Sequence, residues 1–377
     1  MLYYDIASPL LTIIYRFVMT NYKSNETELF PLRKEPLYKQ VKKALRVYMS
    51  NTTSKVLPTE NELQRIFNVS RITVRRALKE LEDDGRLKTV QGSGRVVVPP
   101  AKQPRTGYVG IVQGEGIAEY QQELIHAVDM CLKKRRITTA LNIIDRRFDD
   151  IEESLAAFIK KVDGLIFCGF TITGSNVYDI VKDCLPSCVI LEDDCSLDYP
   201  MNLVQGDRFA GFEKIAAHLK SLGHENIAFI GTASDQMRIG GIEKGLGKTL
   251  DPELIINAVG WRHTAYIAAE ELLMKKKPFS AVICNSDTCA LGVMDRLLEA
   301  GIKIPDEVSV TGYDNIISSK YCLIPLTTAA APKIKLAERA VELILQTPET
   351  VDNDGSPAKI LIEPELEIRA STGKPPR

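Results

Sequence analysis

Two rhythms of apolar and polar residues divide this chain. In PLYKQVKKALRVYMS, Val41, Leu45 and Tyr48 recur at i, i+4 and i+7 and predict a helix with one apolar stripe. The pattern stops at Asn51-Thr52-Thr53-Ser54. In LPTENELQRIF, Thr59 and Glu62 have the spacing of a capping box, which predicts a short second helix. Asn68-Val69 makes a turn, Ser70 caps a third helix in RITVRRALKELEDDG, and Gly85 ends it. Turning that helix by about 100° per residue gathers Val74, Ala77, Leu78 and Leu81 on one face. Ile72, Arg75, Arg76 and Lys79 fall on the opposite face, with Arg71 and Thr73 near its start. LKTV and RVVV then flank Gln91-Gly92-Ser93-Gly94, a permissive turn that predicts a hairpin, or wing.

From Tyr108 the rhythm changes. The buried β-runs YVGIV, TALNII, GLIF, CVIL, IAFI, AVIC and VSVTG alternate with helical stretches such as AAHLKSLG and ALGVMDRLLEAG. Strands that are apolar almost throughout belong to parallel sheets covered on both faces. About 265 residues of this pattern suit two doubly wound lobes with a ligand cleft at the carboxyl ends of their strands. The expected fold class is therefore α/β, an N-terminal winged helix-turn-helix followed by a two-lobed domain. The expected boundaries are an extension over 1–35, the winged helix over 36–98, a proline-bearing linker over 99–106 and the two-lobed domain over 107–373. The extension begins MLYYDIASPLLTIIYRFV, which has no basic residues ahead of its apolar run, carries Asp5 and Pro9, and is short for a membrane span. It reads as an upstream extension with Met19 the natural initiator, or else as a disordered or packing arm, and no membrane partner is expected.

Charge sharpens the picture. Residues 36–100 hold 13 Lys/Arg against six acidic residues, so that segment carries +7 and the rest of a chain of net charge −1 carries −8. A basic head on an acidic body is the footprint of polyanion binding. The eight cysteines contain no CxxC pair and several sit in apolar runs, as small buried hydrophobes in a reducing compartment. The four histidines form no HxxxH or His/Cys cluster, so neither a metal nor another cofactor is expected.

Two glycine stretches invite an enzymatic reading. Gly114-Glu115-Gly116 follows the first strand, but nothing completes GxGxxG. In GIEKGLGKT, five residues rather than four separate Gly241 from Gly247 in the GKT, and Ile242 stands where a phosphate loop needs glycine. With no nucleophile elbow and no carboxylate or histidine constellation, no enzymatic activity is expected.

The strings PLYKQV, LPTENEL, NVSRITVRRAL, ELEDDG and QGSGRVV fall in order, and over residues 36–98 the chain resembles the GntR family of regulators. That resemblance implies DNA contacts from Ser70, Arg71, Thr73 and Arg75 on the third helix and from Gln91 and Gly92 on the wing. Arg76 joins them from the outward face of the helix. Asn61 departs from the pattern, standing where many members carry Arg.

Over residues 106–373, VDGLIF, HLKSLGHENIAFIG, Arg238 with Gly241, NSDTCALG, IPDEVSVTGYDN and EPELEIRAST resemble the effector domain of the LacI family. A GntR-type head on a LacI-type body is similar to the arabinose-type repressors. The resemblance implies a cytoplasmic homodimer that binds two-fold symmetric operator DNA and senses a small molecule, expected to be a sugar. It places Arg238 and Asp287 as the pair gripping ligand hydroxyls, and Trp261 as an aromatic face or a packed core residue. Tyr120 is the one stacking candidate after the first strand. Asp207 and Asp314 match recurrent positions and are equally read as caps; His218 and His224 support the fold. Ser286 departs from the usual Asn before Asp287. Open alternatives are a nucleobase or amino-acid effector, and a solute-binding component of a transporter.

Overall fold

A computed structural model describes residues 36–376 except 52–55, 91–93, 99–105, 115–117, 145–150, 170–180, 182–187, 193–200, 259–260 and 346–356. The N-terminal extension, Gln91 and Gly92 of the wing turn, and nearly all of the linker lie outside the described residues. Two compact units divide between residues 104 and 105.

The head runs α1 (Leu37–Asn51), α2 (Glu60–Phe67), α3 (Arg71–Asp83), β1 (Leu87–Val90) and β2 (Gly94–Val97), the two strands antiparallel. The capping box forms: the Glu62 backbone N–H donates to the Thr59 hydroxyl, and the Glu62 carboxylate accepts from the Thr59 N–H at 2.7 Å. Asn68 ends α2 in the left-handed region at φ 50°, where Asn is tolerated because its short polar side chain bonds locally. Two residues later the Ser70 hydroxyl accepts from the Thr73 N–H and starts α3. These local devices fix the angle between α2 and α3. Val74, Ala77, Leu78 and Leu81 are buried against Val41, Leu45, Leu63 and Leu87. Each such Leu or Val contributes about 1.5–3 kcal/mol, the main term holding so small a unit together.

The body begins with a first lobe of β3 (Tyr108–Gly114), α4 (Glu119–Lys133), β4 (Thr138–Ile144), α5 (Ile151–Ile159), β5 (Gly164–Cys168), β6 (Cys188–Leu191) and β7 (Asn202–Gly206). The chain then enters a second lobe of α6 (Arg208–Leu222), β8 (Ile227–Gly231), α7 (Gln236–Leu246), β9 (Ile255–Asn257), α8 (Arg262–Met274), β10 (Ala281–Cys284), α9 (Asp287–Glu299), β11 (Ser309–Tyr313), α10 (Ile317–Tyr321) and β12 (Thr327–Ala330). It returns to the first lobe as α11 (Lys333–Leu345) and β13 (Lys359–Ile362), and ends in the second as β14 (Glu365–Glu367). The sheet orders are β13-β7-β6-β5-β3-β4 and β14-β12-β11-β10-β8-β9.

Strands β5, β6, β8 and β10 are buried along their whole length, as their apolar runs require, and so are β11 and β12 although they carry Ser309, Thr311, Thr327 and Thr328. β14 departs from the parallel expectation and pairs antiparallel with β12. It enters directly from the other lobe through Glu363-Pro364, without the crossover helix that a parallel strand needs. Five described cysteines (131, 168, 188, 284 and 289) are free and buried, and Cys322 is half-buried.

The glycines of GIEKGLGKT belong to helix packing. A Cβ on Gly241 or Gly245 of α7 would lie 2.4 Å from the backbone oxygen of Phe209 or Glu213 on α6. The two helices therefore touch backbone to backbone, which only glycine permits.

Candidate functional site

Two surfaces gather chemistry, one on each unit. On the head, α3 turns Arg71, Ile72, Arg75, Arg76 and Lys79 outward. Ser70 and Thr73 sit at the helix start, their hydroxyls 2.8 Å apart. The arginines are held in place. Arg71 and Arg75 donate to one carboxylate oxygen of Glu60, on α2, at 3.2 and 2.9 Å. Arg95 on β2 donates to the other oxygen at 3.1 Å and to Glu82 at 2.9 Å. Burial pushes the Glu60 carboxyl up, but bonds from Arg75, Arg95 and Arg71 outweigh it and hold the group at about 2. Arg76 lies over the Tyr38 ring, 3.8 Å from its centroid. Glu60 thus ties helix, turn and hairpin into one basic surface. Glu60 stands 11 and 15 residues before Arg71 and Arg75, so the contact becomes visible only once the α2–α3 angle is known.

On the body, the two sheets meet at the carboxyl ends of their strands. The backbone N–H groups of Ile317 and Ser318, just after β11, donate to Glu123 and Glu119 at the start of α4, each at 2.8 Å. Lys333 pairs with Glu123 at 3.2 Å and donates to the backbone oxygens of Asp314 and Asn315 at 2.7 and 2.8 Å. Those two residues have φ of 115° and 46°, left-handed values that strain non-glycine residues. Arg369 completes the clamp, donating to the Asn315 side chain at 2.6 Å. The GYDN string therefore codes a strained turn held from both lobes.

Around this turn stand Tyr120, Glu192, Arg208, Arg238, Tyr313 and Asp314. Burial raises the Tyr120 hydroxyl well above its usual range, with Glu192 and Asp314 adding to the effect. Burial likewise raises Asp314 well above the carboxylate range, Asp287 adds to this, and Arg238 and Lys333 oppose it. Glu192 accepts from Arg208 at 3.1 Å and from the Gly206 N–H at 2.6 Å, at the first crossing between lobes. Arg238 is held by Asp235, which also caps α7. Among the described residues, the buried groups without a hydrogen-bond partner include both side-chain atoms of Gln113, near the carboxyl end of β3, and the Tyr313 hydroxyl, with Asn285 Oδ1 and Thr311 Oγ1 also unpaired. Such groups at the ends of strands are available to a ligand.

The predicted ligand residues separate. Tyr120 and Arg238 join the cluster. Asp287 lies beneath it, fully buried, accepting from the Ile316 N–H at 2.9 Å and from the Thr328 hydroxyl. Both of its oxygens serve its own lobe, where they pin the loop that carries Asp314. Trp261 caps α8, 45% exposed, and shares no hydrogen bond or ring contact with the cluster among the described residues. Asp207 caps α6, and His218 and His224 bond the C-terminal segment at Thr372 and Gly373. Gln113, Glu192, Arg208, Tyr313 and Lys333 went unmarked in the sequence, since buried polar residues at strand ends look like punctuation until the strands are aligned.

Among the described residues, no group of His, Cys, Asp and Glu could hold a metal ion, and no helix is long and apolar enough to cross a membrane.

Comparison with known proteins agrees with both units. Residues 37–97 match the family described as bacterial regulatory proteins, gntR family, and residues 216–372 match the periplasmic binding protein-like domain. The HTH-type transcriptional repressor PurR of Histophilus somni (strain 129Pt) is 29% identical over 296 residues, covering 76% of this chain and 87% of its own. The arabinose metabolism transcriptional repressor of Geobacillus stearothermophilus is 26% identical over 367 residues, covering 89% and 98%. The body is under three quarters of this chain, so the latter match runs well into the head. Among solved structures, a LacI family transcriptional regulator from Enterococcus faecium with bound ribose has a TM-score of 0.60 at 24% identity, covering 71% of this chain and 98% of that one. The chain thus joins a head that matches the gntR family of bacterial regulatory proteins to a body that matches the periplasmic binding protein-like domain and has the LacI-type fold.

Proposed function

We propose that this chain is a ligand-responsive transcription repressor of the cytoplasm. The observation that carries the reading is the convergence of Arg71, Arg75 and Arg95 on Glu60, which presents a preformed basic surface beside an exposed helix face. Ser70, Arg71, Thr73, Arg75 and Arg76 contact operator DNA from α3, with Gln91 and Gly92 reaching the phosphate backbone from the wing. Residues 36–98 act as the DNA-binding domain, 99–106 as the linker and 107–373 as the sensor.

The effector sits between the lobes of the body. Arg238 and Asp314 offer a donor fork and an acceptor to vicinal hydroxyls, and Tyr120 and the Gln113 amide line the first-lobe side. Asp287 serves by fixing the Asp314 loop, and the exposed Trp261 offers an aromatic face. A sugar fits this set, and the ribose-bound neighbour supports that class. An unpartnered amide also pairs with a nucleobase edge, so nucleobases are the second class.

The protein acts as a homodimer on a two-fold symmetric site. Ligand favours one closure of the lobes, and a coupling of about 1–3 kcal/mol changes operator affinity some 5–150-fold. The test has two arms. Selection from random DNA with the full chain should enrich an inverted repeat; no enrichment would overturn the regulator reading. A thermal-shift panel of sugars, nucleobases and amino acids should raise the melting temperature with one pentose or hexose, because a ligand that binds only the native state must do so. A shift with nucleobases alone would replace the sugar.

A further inference from the structure

On α3 the outermost residue is not a cation. Val74, Ala77, Leu78 and Leu81 are buried, and Ile72 stands diametrically opposite them, 80% exposed. The arginines on either side of it are drawn away from the crest. Arg75 leans to Glu60 on α2, and Arg76 lies across the Tyr38 ring of α1. What remains at the middle of the face in the first turn, two turns before Lys79 on the same stripe, is a branched aliphatic side chain flanked by guanidinium groups.

Single exposed aliphatic residues are common on protein surfaces. The position of this one gives it a task. A helix laid in the major groove puts its flanks toward the phosphate walls and its crest toward the base edges. There the edges of adenine, guanine and cytosine offer donors and acceptors, which an aliphatic chain would desolvate without replacing their hydrogen bonds. Thymine alone offers a methyl group. Isoleucine, stiff at χ1, covers that methyl at little entropic cost.

We propose that Ile72 reads a thymine C5-methyl group in each half-site and so sets part of the operator sequence, while Arg71, Arg75 and Arg76 hold the helix in register. The proposal rests on the reading of the head as a DNA-binding unit.

The experiment separates the two. A site is first selected from random DNA with the full-length protein. Each thymine in it is then replaced by uracil, which lacks only the methyl group, and binding is measured for the wild type and for Ile72→Ala. In the wild type, one symmetry-related thymine should show a loss of roughly fourfold on replacement, the worth of one buried methyl group. In Ile72→Ala that penalty should vanish, with the melting temperature little changed because the side chain is 80% exposed. Uracil tolerated at every position, or an equal penalty in the variant, overturns the role of Ile72 and leaves the DNA-binding reading standing. Failure to enrich any site overturns both.

Discussion

The Arg75 guanidinium donates through Nε to the Glu60 carboxylate at 2.9 Å, linking the recognition helix to the helix before it. Because the same carboxylate also takes Arg71 and Arg95, one half-buried negative charge sets the spacing of three positive ones. Without it, three like charges would repel each other and spread over many rotamers.

Replacing Glu60 with Gln keeps the shape and removes the charge. Operator affinity should fall about tenfold, the worth of roughly one charge-assisted bond. Affinity for random-sequence DNA at the same salt should hold or rise, since the head gains net positive charge. Fluorescence anisotropy with both DNAs at one ionic strength reads the two numbers. Equal losses on both would mean that Glu60 maintains the fold rather than the register. Glu60 also adds acid sensitivity. Its folded carboxyl lies below its ordinary 4.5, so its stabilisation is complete above that pH and is lost as pH falls toward about 2.

Gly245→Ala should destabilise the body by about 1–3 kcal/mol, the usual cost of overpacking. The added methyl would collide with the Glu213 backbone oxygen, which cannot swing aside as a side chain could. Urea unfolding of the full chain gives the change. An unaltered midpoint would show that α6 and α7 separate more readily than their contact suggests.

The same glycines show what the sequence made legible. Periodicity placed α3, its inner face and its Ser70 cap, because a helix and its N-cap are written in neighbouring residues. Seven strands with apolar runs were equally plain. The fully buried β12 escaped notice because TTAA is no apolar run, and β7 and β9 because they are short and only partly buried. β13 and β14 escaped because KILI and ELE are short edge segments mixed with charge. The cleft was harder still. Asp287 and Asp314 lie in equally prominent strings, and only the bonds from Ile316 and Thr328 show that Asp287 pins the loop carrying Asp314. Gln113 carries no local mark; its meaning depends on strands that its neighbours in sequence do not touch.

Burial pushes the Asp287 carboxyl up to about 7 against hydrogen bonds from Thr328, Ile316 and Ser319 that favour its ionised form. An acid whose folded pKa lies above its unfolded value ionises first in the unfolded chain. Stability from this group therefore falls as pH rises from about 4 to about 7 and is level above that. In Asp287→Asn that slope should flatten. Asp287→Ala should cost about 2–4 kcal/mol, because the Ile316 N–H and the Thr328 hydroxyl lose their acceptor. Melting curves between pH 5 and 8 compare the three proteins. A slope that persists in Asp287→Asn would assign it to another group, with Asp314 the next to test.

Gln113 presents the opposite balance. A buried amide with no partner among the described residues costs the empty protein about 1–3 kcal/mol, and an apolar residue of similar size avoids that cost. Gln113→Leu should therefore leave the ligand-free protein as stable as the wild type or more so. Effector affinity should drop at least about tenfold, because a ligand group that paired with the amide would meet a methyl group instead. Calorimetric titration with the effector identified by thermal shift, alongside a melt of the empty protein, measures both effects in one preparation. Loss of stability with unchanged affinity would show that the amide is satisfied within the fold. A gain in stability with lost affinity would place the effector against the carboxyl end of β3, on the opposite wall of the cleft from Arg238.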